Sequence, residues 1–553
     1  MRTKQQAVRR AGWIAVVILI GMQVQAQDTT KPKSVDITSA FKPSLREPAK
    51  INFNAAPPVA DTTRPRLQYD IPNPNLLFAY QPGTLKPLAL QIDSTGSFDN
   101  SNYIKAGFGS LKTPYVQAGF SFGDGSTAGG SLYAKHVSSQ GNRDYQDFAN
   151  TEIKINGYYK TAKNLEWNAG LGFRQDKTYK YGFEPPTLTL PDDSLQQRFR
   201  TISARGSLRN LTATEFGLNY HPELRIDIFN DFLKNSESNT VLHLPLEKSL
   251  NQDFAVNLGL TFDLTRFSPK GKDAINNTMW YLSPSVLYKS PSFRLTAGIR
   301  PSWDNGEFKM FPNIMAEVGT SDQRFTLQAG WTGYVRKTTY QYLASQNQWL
   351  WAPAELKNTW IEERYAGFKG AVGDHFTYSA KVGFNRLNNQ PLFINDTSAA
   401  GDGKSFQVVY ADRINVLNLG GELGYTVEEK FSLITSLYMH QFTGIKGQEY
   451  AWGLLPLELN AALRVQVLKD LWIKGDLFGW SGPKYMRKDG SDNNVKGAFD
   501  LNGGLEFRVR KNISLWAQFN NIFNKEYQRW NQYPVYGFNL VGGIIFTFDQ
   551  KNK

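Results

Sequence analysis

From about residue 103 to the C-terminal end, hydrophobic and polar residues alternate along the chain with a period of two. Within residues 251–264, one face is apolar and the other carries small and polar side chains. The apolar face holds Phe254, Val256, Leu258, Leu260, Phe262 and Leu264, and the other holds Asn257, Gly259, Thr261 and Asp263. Residues 214–229 and 453–467 repeat the arrangement. A period of two is typical of β-strands whose faces meet different surroundings, so the pattern predicts an all-β body.

Three further features favour a membrane barrel over a soluble sandwich, which would alternate in the same way. The alternating stretches run 10–15 residues, whereas globular strands centre on about 5–6. The connections are alternately tight and long, as in up-and-down barrels. Aromatic residues gather near strand ends, where interfacial girdles lie. Those near strand ends are Tyr281, Tyr288, Trp331, Tyr334, Tyr425 and Trp472. The sequence therefore predicts a transmembrane antiparallel up-and-down β-barrel.

The positions of the connections predict the number of strands. Tight turns are expected near 160–164, 209–213, 247–251, 288–292, 319–324, 371–376, 426–430, 467–471 and 509–512. Long connections are expected near 137–150, 174–199, 229–238, 264–277, 336–361, 387–413, 443–453, 482–497 and 524–536. With strands near 103–110 and 114–122, this predicts about 22 strands, within a range of 18–22, over residues 101–548. Pro222, Pro284, Pro301, Pro312 and Pro456 fall inside predicted strands, where we expect local bulges.

Both ends of the chain differ from this body. Residues 1–26 combine a basic start, a short apolar run and a small residue at Ala26, which together predict a secretory signal peptide. Residues 27–100 hold ten of the 26 prolines, so we expect an extended Pro-rich periplasmic segment, either a linker or a peptide that lies along a partner or inside a pore. Residues 549–553 form a polar C-terminal tail.

Composition and motifs argue against catalysis and cofactors. The chain has no Cys and only five His, which are scattered without metal-ligand spacing. It contains no Gly-x-Ser-x-Gly elbow and no Walker motif. The net charge of +13 is spread along alternating strands and does not form the basic stripe of a nucleic-acid-binding protein. We therefore expect no enzymatic activity, no catalytic or metal-binding residue, no cofactor and no nucleic-acid partner.

Two stretches resemble a known family of outer-membrane proteins. The run ISLWAQFNNIFNKEYQRWNQYPVYGFNLVGGIIFTF (513–548) resembles the C-terminal end of TonB-dependent receptor barrels. The run NYIKAGFGSLKTPYVQAGFSFG (102–123), followed by Lys135–Ser139, resembles plugless barrels of that type. Two departures stand out: Phe538 follows Gly537 where the family usually has Arg, and residues 27–100 are too short and Pro-rich for a folded plug. The resemblance implies an outer-membrane barrel in contact with lipid.

Two function classes remain open. The first is solute uptake or outer-membrane transport of an unknown solute, with the lumen occluded by the chain's own segments or by a partner. The second is a non-transporting membrane-anchor subunit that docks a periplasmic protein through residues 27–100. A barrel of this size is wide enough to leak unless something fills it. The candidate occluders are residues 27–100, infolded loops such as 336–361, and a separate protein.

The longest loops are rich in aromatic residues, which are the candidate outer-loop contacts for a ligand or partner. Exposed rings lower solubility unless they pack together or meet a ligand. Two interpretations stay open: the rings pack over the barrel mouth, or they capture a ligand or partner. The candidates are Tyr340, Tyr342, Trp349, Trp351 and Trp360 in one loop, and Tyr527, Trp530 and Tyr533 in another.

Overall fold

The computed structural model describes residues 100–124, 126–181, 192–320, 324–396, 403–428, 430–487 and 490–550. The predicted signal peptide, the Pro-rich segment up to residue 99 and the last three residues lie outside the described residues. The first strand begins at Asn100 and the last ends at Gln550, two residues into the predicted polar tail.

The described residues form 27 strand segments and two short helices. The strands are β1 (Asn100–Gly109), β2 (Thr113–Gly123), β3 (Ala128–Ser139), β4 (Phe148–Lys160), β5 (Leu165–Tyr179), β6 (Gln196–Asn210), β7 (Leu218–Tyr220), β8 (Glu223–Asn230), β9 (Ser236–Ser249), β10 (Phe254–Ser268), β11 (Ile275–Lys289), β12 (Phe293–Asp304), β13 (Glu307–Gly319), β14 (Phe325–Arg336), β15 (Thr359–Val372), β16 (Phe376–Asn388), β17 (Gln390–Asn395), β18 (Phe406–Ala411), β19 (Arg413–Val427), β20 (Phe431–Lys446), β21 (Leu457–Leu468), β22 (Leu471–Trp480), β23 (Lys484–Met486), β24 (Asp492–Asn494), β25 (Ala498–Arg510), β26 (Ile513–Asn520) and β27 (Asn539–Gln550). The helices are α1 (Asp192–Leu195) and α2 (Tyr340–Gln346). None of the described helices is long and apolar enough to cross a membrane.

Twenty-three of these strand segments form one antiparallel sheet that closes on itself. β1 pairs with β27 from Asn100↔Gln550 to Gly109↔Val541. β7 and β8 are two halves of one strand, because both pair with β9, so the barrel has 22 strands. Closure satisfies the backbone hydrogen bonds that an open sheet edge would expose to lipid. The predicted up-and-down barrel of about 22 strands is confirmed.

The two faces of the barrel wall differ as the alternation predicts. Leu258 in β10 lies on the outward face and is 41 % exposed. Thr261, three residues further along the same strand, lies on the inward face and is 5 % exposed. Outward residues such as Leu171 and Ile226 are likewise large and apolar. This continuous apolar surface suits hydrocarbon, and the inward face suits a polar lumen.

The predicted aromatic girdle is correct for three of its six residues. Tyr288, Trp331 and Tyr425 lie on the outward face, and Tyr288 packs against Phe254 at 4.8 Å between ring centroids. Tyr281, Tyr334 and Trp472 instead pack inward, Trp472 being almost fully buried. The prediction was wrong for these three because each lies one step out of phase with the lipid-facing residues of its own strand. Distance from a strand end alone does not fix the face.

Connections differ systematically between the two ends of the barrel, here named the turn end and the loop end. The predicted tight turns all lie at the turn end, including residues 161–164 and 290–292. The long connections lie at the loop end, with one further, unpredicted connection, the two-residue turn Asn305–Gly306 between β12 and β13. Both residues have positive φ, 49° and 91°, as a two-residue hairpin turn of this hand requires.

Four of the five strand prolines interrupt strand pairing as expected. Pro222 lies in the break between β7 and β8. The β11–β12 ladder skips from Tyr281↔Ser302 to Ser285↔Gly298, the stretch that contains Pro284 and Pro301. The β13–β14 ladder stops at Asn313, directly after Pro312. Pro456 was placed wrongly inside a strand, since β21 begins only at Leu457.

Candidate functional site

Five connections at the loop end fold against one another and are named the cap. They are residues 337–358 with α2, residues 389–396 and 403–412 with the β17–β18 hairpin, residues 447–456, residues 481–487 and 490–497 with the β23–β24 hairpin, and residues 521–538. The hairpins form because short β-prone stretches such as Pro391–Ile394 pair with Gln407–Tyr410, outside the barrel sheet. Every residue of β17 is buried, so this hairpin is part of a packed core and not a free loop.

Residues 337–358 cross the barrel mouth. The segment leaves the wall between β14 and β15, yet Tyr340 packs against Phe229 of β8 at 5.2 Å between ring centroids. Further along, Trp349 donates its indole N–H to the carbonyl oxygen of Tyr179, at the end of β5, at 3.2 Å. It also stacks on Tyr533 of the β26–β27 loop at 3.8 Å. Since β5, β8 and β26 lie far around the barrel from β14, this loop bridges the mouth.

The cap is held by an aromatic core that collects rings from both predicted loops. Tyr340, Trp349, Trp530 and Tyr533 belong to one buried cluster. Tyr533 also donates its hydroxyl to the carbonyl oxygen of Lys404 at 2.9 Å, which ties two cap loops together. Burying several aromatic side chains in one cluster stabilises the arrangement without any ligand.

The other four candidates lie elsewhere. Tyr527 is buried in a separate cluster with Trp480 and Ala498. Trp360 is half-buried and donates its indole N–H to Asp304 at 2.7 Å. Tyr342 is half-buried, and Trp351 is the most exposed of the eight at 38 %. Burial favours packing for five of the eight, while ligand or partner contact stays a prediction for the three that are only partly buried or exposed, Tyr342, Trp351 and Trp360.

Helix α2 is fixed to the barrel wall by carboxylates. Glu237 of β9 accepts hydrogen bonds from the backbone N–H groups of Tyr340 at 2.5 Å and Gln341 at 2.9 Å. The Tyr340 hydroxyl donates to Asp231 at 2.7 Å. Burial, and then the Asp231 carboxylate, raise the pKa of Tyr340 well above its usual value, so the hydroxyl stays a donor. A carboxylate at the first turn also complements the helix dipole.

A buried amide cluster holds the two ends of the crossing loop together. Asn358 donates to Asn277 Oδ1 at 2.7 Å and to Asp304 Oδ1 at 2.6 Å. Its own Oδ1 accepts from the backbone N–H of Thr338 at 2.9 Å. Residues 338 and 358 therefore lie side by side, and the loop between them leaves and rejoins the wall at one point.

Sequence reasoning missed most of the rings that the crossing loop contacts. Phe199, Phe229 and Phe267 surround Tyr340, and Phe406 packs against Trp530. The first three sit at the loop-end limits of strands β6, β8 and β10, on the polar face of the alternation. The sequence did hold a signal for them: each is an aromatic residue near the loop end of its strand, at a position where the alternation predicts a polar residue.

Below the cap, charged pairs line the lumen. Lys381 lies 2.7 Å from Glu363, Lys369 lies 3.0 Å from Glu317, and Lys474 lies 3.3 Å from Glu506. Within the described ranges, no group of three or more His, Asp or Glu side chains is arranged to hold a metal ion. The site thus consists of a polar lumen beneath an aromatic cap.

Comparisons with known proteins agree on the fold alone. No protein-family model matches the sequence, and no curated protein matches it. Among solved structures, the FrpB iron transporter from Neisseria meningitidis is 11 % identical, with a TM-score of 0.63 over 82 % of both chains. The siderophore receptor PirA from Acinetobacter baumannii is 10 % identical, with a TM-score of 0.63 over 82 % of this chain and 81 % of that one.

A third similar structure comes from Pseudomonas aeruginosa. Its outer-membrane ferripyoverdine receptor, bound to ferripyoverdine, is 9 % identical, with a TM-score of 0.60 over 83 % of this chain and 73 % of that one. The predicted resemblance to TonB-dependent receptor barrels is therefore confirmed for the barrel. The fold is that of an outer-membrane receptor barrel.

Proposed function

We propose that the protein imports a solute across the outer membrane through a barrel whose outer mouth is closed at rest by its own cap. The observation that carries the proposal is the crossing loop 337–358, which bridges the mouth with buried rings. A passive porin keeps an aqueous channel instead. Short turns face the periplasm in barrels of this kind, so the cap lies on the extracellular side of the membrane.

The outer surface of the cap offers a contact point for the solute. The ring of Trp351 is 38 % exposed, and the ammonium group of Lys180 lies 4.2 Å from its centroid. Because Lys180 is itself almost fully buried, the exposed indole ring is the contact point, and it suits a solute with a planar, apolar surface. The similar structures are by name an iron transporter, a siderophore receptor and a ferripyoverdine receptor, so iron chelates are the first solute class to test.

The proposal is tested by binding and uptake together. Purified protein is titrated with a panel of anionic and neutral ferric siderophores while tryptophan fluorescence is followed, and iron accumulation is measured in cells that express the chain. We expect at least one ferric siderophore to bind and accumulate, and Trp351→Ala to weaken both binding and accumulation. Trp167→Ala, which removes a 52 % exposed tryptophan from the barrel wall, is the matched control.

A membrane-anchor role predicts a different outcome. In that case no solute accumulates, and a periplasmic protein co-purifies with the full chain and is lost when residues 27–95 are deleted. That combination would overturn the import proposal.

A further inference from the structure

The outward face of β13–β16 contains a groove floored by alanines. Ala316 pairs with Ala329, and Ala329 pairs with Ala366, so three methyl groups form one row across three adjacent strands. The resulting cavity has a volume of about 490 Å³. Small residues in such a row lower the surface locally between taller neighbours.

Two rows of large side chains border the alanine row. The row nearer the loop end is Ile314, Trp331, Arg364 and Phe384, and the row nearer the turn end is Val318, Leu327 and Phe368. These rows are four residues apart along a strand, which is about 14 Å at ~3.4 Å per residue. The cavity itself lies between the alanine row and the row nearer the loop end, because its lining includes Trp331, Arg364 and Phe384; those two rows are only two residues apart, about 7 Å. The groove therefore accommodates a hydrocarbon chain and is too narrow for a helix of about 10–12 Å.

Arginines continue from the rim of the groove toward the loop end. Arg364 lines the groove, and its guanidinium group lies 2.9 Å from Glu362, which also accepts the indole N–H of Trp331 at 2.8 Å. Arg386 of β16 lies opposite Glu362 of β15 in the strand register. Its Nε atom is buried and has no hydrogen-bond partner among the described residues. Arg413 lies on the outward face of the next strand, β19, and its Nε atom is likewise buried without a hydrogen-bond partner among the described residues. Three arginines and one glutamate leave a surplus of two positive charges.

The arginines lie at the outer edge of the apolar band. Arg364 is eight residues from Val372 and Arg386 is ten residues from Phe376, the turn-end limits of β15 and β16. An apolar band about 25 Å tall, crossed by strands tilted by about 40°, spans roughly ten residues. The positive charges thus face the headgroups of the outer leaflet, and the groove faces its acyl chains.

We propose that this groove and the three arginines bind one glycolipid of the lipid A type, with an acyl chain over the alanines and phosphates on the arginines. Arg364, Arg386 and Arg413 are successive diagonal neighbours on three strands. Each diagonal step is about 7–8 Å, so the row extends over about 15 Å. A disaccharide lipid with a phosphate at each end engages both ends of that row, whereas a single phosphate reaches only one.

The test is lipid binding by the purified full chain, followed by native mass spectrometry. The protein in detergent is titrated with bisphosphorylated lipid A, monophosphorylated lipid A, phosphatidylglycerol and phosphatidylcholine. We expect one bisphosphorylated lipid A per chain, with at least fivefold weaker binding of the monophosphorylated form. This comparison changes only the ligand, so it does not depend on whether a variant folds.

Variants then locate the site. Replacing the three arginines by Gln, or Ala329 by Phe, should weaken lipid A binding at least tenfold. Arg200→Gln and Ala204→Phe, on the outward face of β6, are the matched controls and should bind as the unaltered chain does. Equal binding of mono- and bisphosphorylated lipid A, equal binding of phosphatidylglycerol, unchanged binding by the groove variants, or a co-purifying protein in place of lipid would each overturn the proposal.

Discussion

At the residue scale, Trp349 and Trp351 are two positions apart in sequence and have opposite surroundings. Trp349 is 9 % exposed and stacks on Tyr533 at 3.8 Å, while Trp351 is 38 % exposed beside Lys180. Sequence identified both as loop aromatics. It could not separate them, because the partner that buries Trp349 comes from a loop far away in the chain.

Single replacements should therefore separate their roles. Trp349→Ala removes a ring from the core of the cap and should destabilise the cap by about 3–5 kcal/mol. Protease cleavage within residues 337–358 should then become faster. Trp351→Ala should leave the cleavage rate unchanged. Equal cleavage of both variants would show that Trp349 does not hold the crossing loop.

A second pair of neighbours tests which face of β10 meets lipid. Leu258 is outward and 41 % exposed, whereas Asn257 belongs to the inward face. Leu258→Arg should destabilise the barrel by about 2–4 kcal/mol if the side chain lies near the bilayer midplane. Asn257→Arg should cost much less. Unfolding in urea, followed by heat-modifiability on gels, compares them; equal costs would contradict the strand register.

At the scale of elements, strands could be predicted from sequence, whereas a cap of packed loops was only one of several open alternatives. Alternation located the strands because each one meets lipid on one face and polar side chains on the other. Strand β17 gives no such signal, since the residues on both of its faces are buried. The Asn305–Gly306 turn was missed because two residues interrupt the alternation between β12 and β13 too briefly to stand out in the sequence.

Helix α2 depends on one carboxylate for its position. Glu237 accepts two backbone N–H groups from the first turn of the helix. The two N–H groups bond to different oxygens, so Glu237→Gln keeps one acceptor, replaces the other with an NH2 donor and removes the charge; it should weaken the attachment by about 1–3 kcal/mol. Hydrogen exchange of residues 339–347 should become faster. Glu223→Gln, at an exposed carboxylate near the turn end, is the control; equal acceleration in both variants would contradict the role of Glu237.

At the scale of the whole molecule, 22 strands enclose a lumen that needs an occluder. Strand number followed from counting connections, and the need for closure followed from barrel width. Which segment closes the loop end could not be predicted, because it depends on contacts between loops that are distant in sequence. The structure assigns a bridging role to residues 337–358 through Tyr340 and Trp349.

Conductance in planar bilayers tests this account most directly. Residues 339–357 can be replaced by a Gly-Ser turn, because the Thr338 N–H and Asn358 Oδ1 are already 2.9 Å apart. Replacing residues 269–274, the mostly exposed connection between β10 and β11 that is not part of the cap, by a Gly-Ser turn is the matched control. We expect the intact chain and the control to conduct little, and the 339–357 variant to form larger, steadier channels. Large stable channels from the intact chain would contradict closure by the cap.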